Sequence, residues 1–163
     1  MSNLFSHAAV DLPEDQTVHA ARHAVVVVPV PLAEAFGGFT DGIHLWWPME
    51  THSKFGAEAH DGFENGVLLE DAFTGEHVLW GEVQGWDAPS SLDMRWQMDG
   101  DRLSPTVVHV DFATNDDGST TVSLTHDGWA AGNVGLQQYE KYCDWPLILA
   151  RYARFMGGVP ALD

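Results

Sequence analysis

Nine histidines, 24 carboxylate side chains and one cysteine, Cys143, are the groups in this 163-residue chain that could do chemistry. Their spacing decides which chemistry is open to them. His19 and His23 lie four apart in a segment that reads as strand, so they share a face at about 13 Å, too far apart to hold one ion. There is no cysteine pair and no H-E-x-x-H, so no metal and no cofactor is expected. Cys143 has no identifiable base, and no serine sits in a G-x-S-x-G turn, which leaves a nucleophilic triad without support. His109 and Asp111 both read as outward and solvated, and are not expected to work as an acid-base pair. His126 differs, because it reads as inward. It is either a core histidine bonded to a neighbour or part of a ligand site, and it becomes catalytic only if the protein is an enzyme.

The facing of His126 follows from the elements around it. Val108, Val110 and Phe112 share one face of a strand, and Val122, Leu124 and His126 share one face of the next. A three-residue loop Asp116-Asp117-Gly118, with glycine left-handed, pairs Phe112 with Val122, Val110 with Leu124 and Val108 with His126. Upstream, Leu92, Met94, Trp96 and Met98 alternate with Asp93, Arg95 and Gln97, so one side is core or cavity and the other meets water. The expected strands are residues 17–30, 53–59, 66–71, 76–86, 91–98, 105–114 and 119–127. Asp61-Gly62, Asn65-Gly66, Thr74-Gly75, Ala88-Pro89, Asp99-Gly100 and Asp117-Gly118 supply the reversals. Pro31 suits the start of a short helix at residues 32–39, and Asp41 could cap a second one leading into Trp46 and Trp47.

At the other end, Trp145, Leu149, Tyr152 and Met156 recur at helical spacing. Pro146 would cost about 3 kcal/mol inside a helix, so it belongs in the first turn behind an Asp144 cap. Residues 136–143 then form a separate helical turn or a kinked lead-in. The fold class is α+β, an antiparallel meander with two short helices after its first strand and a long closing helix.

Composition bounds what such a protein can do. Residues 1–163 read as one domain, with 1–16 a loose N-terminal segment. Seven Lys plus Arg against 24 Asp plus Glu give a net charge of -17, which repels phosphate backbones and anionic bilayers; nucleic acid and membrane are excluded as partners. The N-terminus has no signal-peptide pattern and the lone cysteine cannot form an internal disulfide, so a cytoplasmic location is expected. The sequence leaves room for a homodimer.

The order of elements and four motifs resemble one known architecture. Leu45-Trp46-Trp47-Pro48 looks like its aromatic pair. Trp80-Gly81-Glu82-Val83, Trp86-Asp87-Ala88-Pro89, Leu92 and Trp96 look like its W-G-x-V, W-D-P-P, L-x-x-x-W block. Residues 106–112, Asp117-Gly118 and residues 124–129 look like its last hairpin, and Asp144-Trp145-Pro146 looks like its G-W-P before the closing helix. Over roughly residues 18–157 the chain resembles the START-like (SRPBCC, helix-grip) superfamily, in the branch of the heat-shock-protein-90 ATPase activator homologue domain. Ala88 and Asp144 depart from the usual proline and glycine.

The resemblance implies a helix-grip fold, a curved antiparallel sheet of about six or seven strands wrapped around a long C-terminal helix, with space between them for a small molecule. The inward residues Leu79, Val83, Met94, Trp96, Val110, Leu124 and His126, with Tyr152 and Met156 from the helix, would line it. Trp129 would cover its mouth or wedge the strand end. Neighbours on a helix point about 100° apart, so Trp46 and Trp47 should divide, one packed under the lid and one bordering the entrance. A binding module for a small hydrophobic or aromatic molecule is expected first. A cofactor-free hydrolase, cyclase or dehydratase using His126 comes second, and a chaperone-partner domain third.

Overall fold

The computed structural model describes residues 18–98 and 103–158. The expected loose segment 1–16 and the Asp99-Gly100 turn lie outside them. The chain forms β1 (Arg22–Val28), α1 (Leu32–Thr40), a 3-10 turn (Ile43–Leu45), β2 (His60–Glu64), β3 (Val67–Asp71), β4 (His77–Asp87), β5 (Ser91–Trp96), β6 (Thr106–Thr114), β7 (Thr120–Asp127), α2 (Gly132–Lys141) and α3 (Trp145–Phe155). The strands make one antiparallel sheet in the order β1-β7-β6-β5-β4-β3-β2, and α3 closes over it, burying Ile148, Leu149, Tyr152 and Ala153. This is the helix-grip fold that the sequence pattern led us to expect.

The β6–β7 hairpin has the expected register, with Phe112 opposite Val122, Val110 opposite Leu124 and Val108 opposite His126. Its loop is three residues long: the Asn115 N–H donates to Ser119 O at 2.8 Å, the Gly118 N–H donates to Asn115 O at 3.0 Å, and Gly118 takes a φ of 87°. Hydrophobic pattern and turn chemistry agree here, which leaves no alternative pairing of comparable stability.

Residues 53–59 do not form the expected strand. The N–H groups of Lys54 and Phe55 instead donate to the two carboxylate oxygens of buried Glu70, at 2.9 and 2.7 Å. Those donors are no longer free for a neighbouring strand, and a buried carboxylate is strongly favoured by such bonds. The strand starts at His60 and runs straight through Asp61-Gly62, expected as a turn. Its reversal is Asn65-Gly66, where both residues take positive φ, 52° and 82°, as a two-residue hairpin turn demands.

The inward set on β4 also differs from the alternation. Leu68 pairs with Gly81 and Leu69 with Leu79, so Trp80 is an extra residue in a bulge. The bulge reverses the facing: Trp80 is fully buried and Val78 packs on the core, whereas Leu79 lies outside the core cluster. Gly81 makes room beside it, since a Cβ there would stand 3.3 Å from the Trp96 ring and 3.2 Å from Arg95 O.

Helix ends account for the other departures. Asp41 terminates α1 by its backbone N–H to Gly37 O and caps nothing after it, and the expected second short helix is a single 3-10 turn. α2 is a full helix from Gly132, longer than the turn expected at 136–143. Pro146 does occupy the first turn of α3, but the Asp144 carboxylate makes no cap bond; it is turned toward His52 instead.

Candidate functional site

A cavity of about 390 Å³ opens at one end of the sheet. Its apolar walls are Trp47 from the turn after the 3-10 segment, Trp80 from β4, Trp96 and Met98 from β5 and just beyond, and Trp145 and Ile148 from α3. The four indoles touch one another. Ring centroids are 5.0 Å apart for Trp47 and Trp80, 5.9 Å for Trp47 and Trp145, and 5.6 Å for Trp96 and Trp145. The rim is polar, formed by Thr51, His52, Ser53 and Lys54 on one side and Lys141, Tyr142 and Asp144 on the other.

The rim segment is held in place by its own backbone. Pro48 O accepts the N–H groups of Thr51 and His52 at 3.2 and 2.8 Å. The Trp47 indole N–H donates to His52 O at 2.8 Å, and the Ser53 hydroxyl donates to Met49 O at 2.6 Å. Within this frame the His52 ring spans two partners. Nδ1 lies 2.7 Å from Thr51 Oγ1, and Nε2 lies 2.9 Å from Asp144 Oδ2. The His52 hydrogen bond holds the Asp144 carboxyl below the usual carboxylate range.

Trp46 and Trp47 point in different directions and both are buried, at 2% and 4% exposure. Trp47 borders the cavity. Trp46 faces the other way, its ring 5.2 Å from those of both Phe39 and Tyr152 and its N–H on Gly38 O at 2.9 Å. Of the remaining residues expected to line the site, Trp96 does so. Met94, Val110, Leu124, Trp129 and Tyr152 are buried in the core, and Val83 and Met156 pack against it from the side. Leu79 is turned away by the bulge. The Tyr152 hydroxyl donates to Ala35 O at 2.7 Å, and burial pushes its phenol up. Trp129 wedges rather than covers, with its ring 4.5 Å from His126 and its N–H on Ala20 O at 3.1 Å.

His126 lies one layer behind the cavity wall. It is fully buried, with Nδ1 2.9 Å from the Trp145 indole N–H and Nε2 2.6 Å from Thr106 Oγ1. An indole N–H can only donate, so Nδ1 is the acceptor and Nε2 carries the proton. Thr106 then passes its own hydroxyl hydrogen to Trp96 O at 3.2 Å. Burial pushes the His126 pKa down to about 3, and the ring is neutral with both nitrogens committed.

On the opposite face of the sheet, His109 sits between Asp93 and Asp111, bonded to Asp93 through Nδ1 and 3.0 Å from Asp111 through Nε2. His109 and Asp111 point outward, the facing read from the alternation, and their side chains meet there. They form a surface ion cluster away from the cavity, and its aspartates, Asp93 first, hold the imidazole pKa up. Sequence reasoning missed the rim residues and two of the four indoles, Trp80 and Trp145. Both indoles stand in the motifs that carried the resemblance, and that was the signal for them. Nothing local could have found the His52–Asp144 pair, whose members are 92 residues apart.

No protein-family model matches this sequence, and no curated protein does. Solved structures do match. The self-sacrificing resistance protein CalC from Micromonospora echinospora superposes with a TM-score of 0.61 at 21% identity, over 86% of this chain and 97% of its own. An HSP90 activator from Plasmodium falciparum gives 0.58 at 20% identity, over 85% and 97%. An anthrahydroquino-γ-pyrone synthase gives 0.54 at 24%, over 84% and 97%. At these identities the likeness is one of fold.

Proposed function

We propose that this protein binds a small, flat, apolar or aromatic molecule in the tryptophan-lined cavity. The observation that carries the reading is the meeting of four indoles around about 390 Å³ with a polar rim, within the size range and with the mixture of apolar wall and few polar groups that small-molecule sites have. A neighbour of similar fold is named an anthrahydroquino-γ-pyrone synthase, which accords with such a ligand. Trp47 and Trp96 are the expected residues that serve; Trp80 and Trp145 complete the cage. Among the described residues no helix is long and apolar enough to cross a membrane, and a cytoplasmic location remains our proposal.

The test uses 1-naphthol, naphthalene and cyclohexanol, followed by tryptophan quenching and thermal shift. Saturable quenching by the two bicyclic probes, weakened at least about tenfold by Trp47→Ala, supports the reading, since a stacked aromatic pair contributes on the order of 1 kcal/mol beyond its buried area. Absence of saturation with every probe would overturn it. The hydrolase, cyclase or dehydratase alternative does not run through His126, whose nitrogens both face satisfied partners.

A further inference from the structure

We infer that the rim of this cavity is a hydrolytic site for small aryl esters, with the Thr51 hydroxyl as nucleophile, His52 as its base and Asp144 as the carboxylate that orients the base. The inference rests on the cavity being a ligand site, and goes beyond it. An acyl-transfer site needs a hydroxyl within hydrogen-bond reach of an imidazole whose other nitrogen is held by a third group. Thr51 Oγ1 is 2.7 Å from His52 Nδ1, and His52 Nε2 is 2.9 Å from Asp144 Oδ2. All three residues line the same cavity as the indoles.

The carboxylate sets the tautomer. Asp144 can only accept, so Nε2 carries the proton and Nδ1 presents its lone pair to the Thr51 hydroxyl. His52 is half-buried and its backbone is pinned at both ends, which removes the freedom that would otherwise have to be lost on reaction. Asp144 reaches this position because it forgoes capping α3. The aryl group of the ester would lie among the indoles and its carbonyl at the rim.

The step balances without a further reagent. Thr51 Oγ1 bonds to the acyl carbon as its proton passes to His52 Nδ1; the ester C–O bond breaks, and that proton leaves with the phenol. Water then gives a proton to Nδ1 and its oxygen to the acyl carbon, and the Thr51 oxygen departs, taking the proton back. The products are a carboxylic acid and a phenol.

The experiment measures release of 1-naphthol from 1-naphthyl acetate by the full chain, beside 1-naphthol binding in the same preparations. Turnover at saturating ester should fall at least about 100-fold in Thr51→Val, His52→Gln and Asp144→Asn, the range that a positioned base contributes, well beyond any change in the affinity for 1-naphthol. Thr51→Ser should retain turnover. Should Thr51→Val not fold, mapping an acetyl-sized mass increase onto the Thr51 peptide of the wild-type protein during turnover decides the matter, and acetylation elsewhere alone overturns the assignment. Turnover that is absent, or unchanged in Thr51→Val, while 1-naphthol still binds, overturns the inference and leaves the binding reading standing. If 1-naphthol does not bind at all, both fall.

Discussion

Asp61 should make this protein less stable as the pH rises, and Asp61→Asn should remove most of that dependence. The residue sits on the inner side of β2, opposite Glu70 of β3, with no exposed surface. Neither carboxyl oxygen finds a partner on another described residue. Burial first, and the neighbouring Glu70 charge after it, push its pKa from 3.8 to about 7, against a smaller opposing pull from its own backbone N–H. A carboxyl whose folded pKa is raised binds its proton more tightly in the folded state. Stability is then complete at pH values below the unfolded pKa, and declines until the pH passes the folded one. The difference of about three units corresponds to about 4 kcal/mol at full ionisation. Between about pH 5 and about pH 8 the wild type should lose about 2–3 kcal/mol through this one group. An asparagine amide has a burial cost of its own, but that cost does not vary with pH and cancels when the two conditions are compared. Urea unfolding of wild type and Asp61→Asn at both pH values measures the quantity directly: the variant's advantage should be larger at the higher pH by that amount. An advantage equal at the two values, within about 0.5 kcal/mol, would show that Asp61 is not a protonated acid inside the fold, and the reasoning from burial would be wrong.

Three further outcomes follow from contacts described above. His126→Phe strands the buried Trp145 indole N–H and removes the donor to Thr106 Oγ1, which keeps its own bond to Trp96 O, and should cost about 1–3 kcal/mol in urea unfolding; a loss below about 0.5 kcal/mol would mean that the indole bond is not made. Gly81→Ala forces a methyl against the Trp96 ring and Arg95 O, for an expected loss of about 1–3 kcal/mol with a changed tryptophan emission spectrum; an unchanged melting temperature would refute the close approach. The raised His109 pKa means that its cluster stabilises the fold below the ordinary histidine value and loses that contribution as pH rises through the raised one. Its half-exposed position keeps the energy small. Asp93→Asn should move the His109 titration back toward the ordinary histidine value in an NMR pH series, and no movement would mean that Asp93 is not the leading partner.

The sequence reading succeeded where two independent signals agreed. The β6–β7 register follows from a three-residue loop and an alternating pattern that select the same pairing, so the sequence alone puts His126 inward opposite Val108. It failed where a single extra residue or a distant side chain intervenes. Counting by twos along β4 puts Leu79 inside, but the bulge at Trp80 shifts the count by one, and only the buried Glu70 that accepts the Trp80 indole N–H at 3.0 Å shows why the indole turns in. The same carboxylate holds the backbone at 54 and 55 and denies those residues a strand. Asp61-Gly62 and Asn65-Gly66 both carry turn chemistry, and that only the second is a reversal was equally closed to local reasoning. The site divides the same way: Trp47 and Trp96 were legible as inward aromatics, while the rim depends on a meeting between a turn and the start of α3.

The two buried or half-buried histidines near the cavity show how partners, more than depth, set the task a side chain can take up. His126 is held by an indole and a hydroxyl, neither of which can balance a charge, so protonation would place an uncompensated cation in the core; this is why its pKa falls so far. His52 is held by a carboxylate that can stabilise an imidazolium, with a hydroxyl on its other nitrogen. At His126 a proton cannot arrive near neutral pH. Trp145 joins the two, because its N–H is fixed on His126 while its face forms part of the cavity wall. The dry histidine acts on the site only by holding that wall still. Any chemistry the cavity performs has to be carried at the rim, where carboxylate, imidazole and hydroxyl meet beside the indoles.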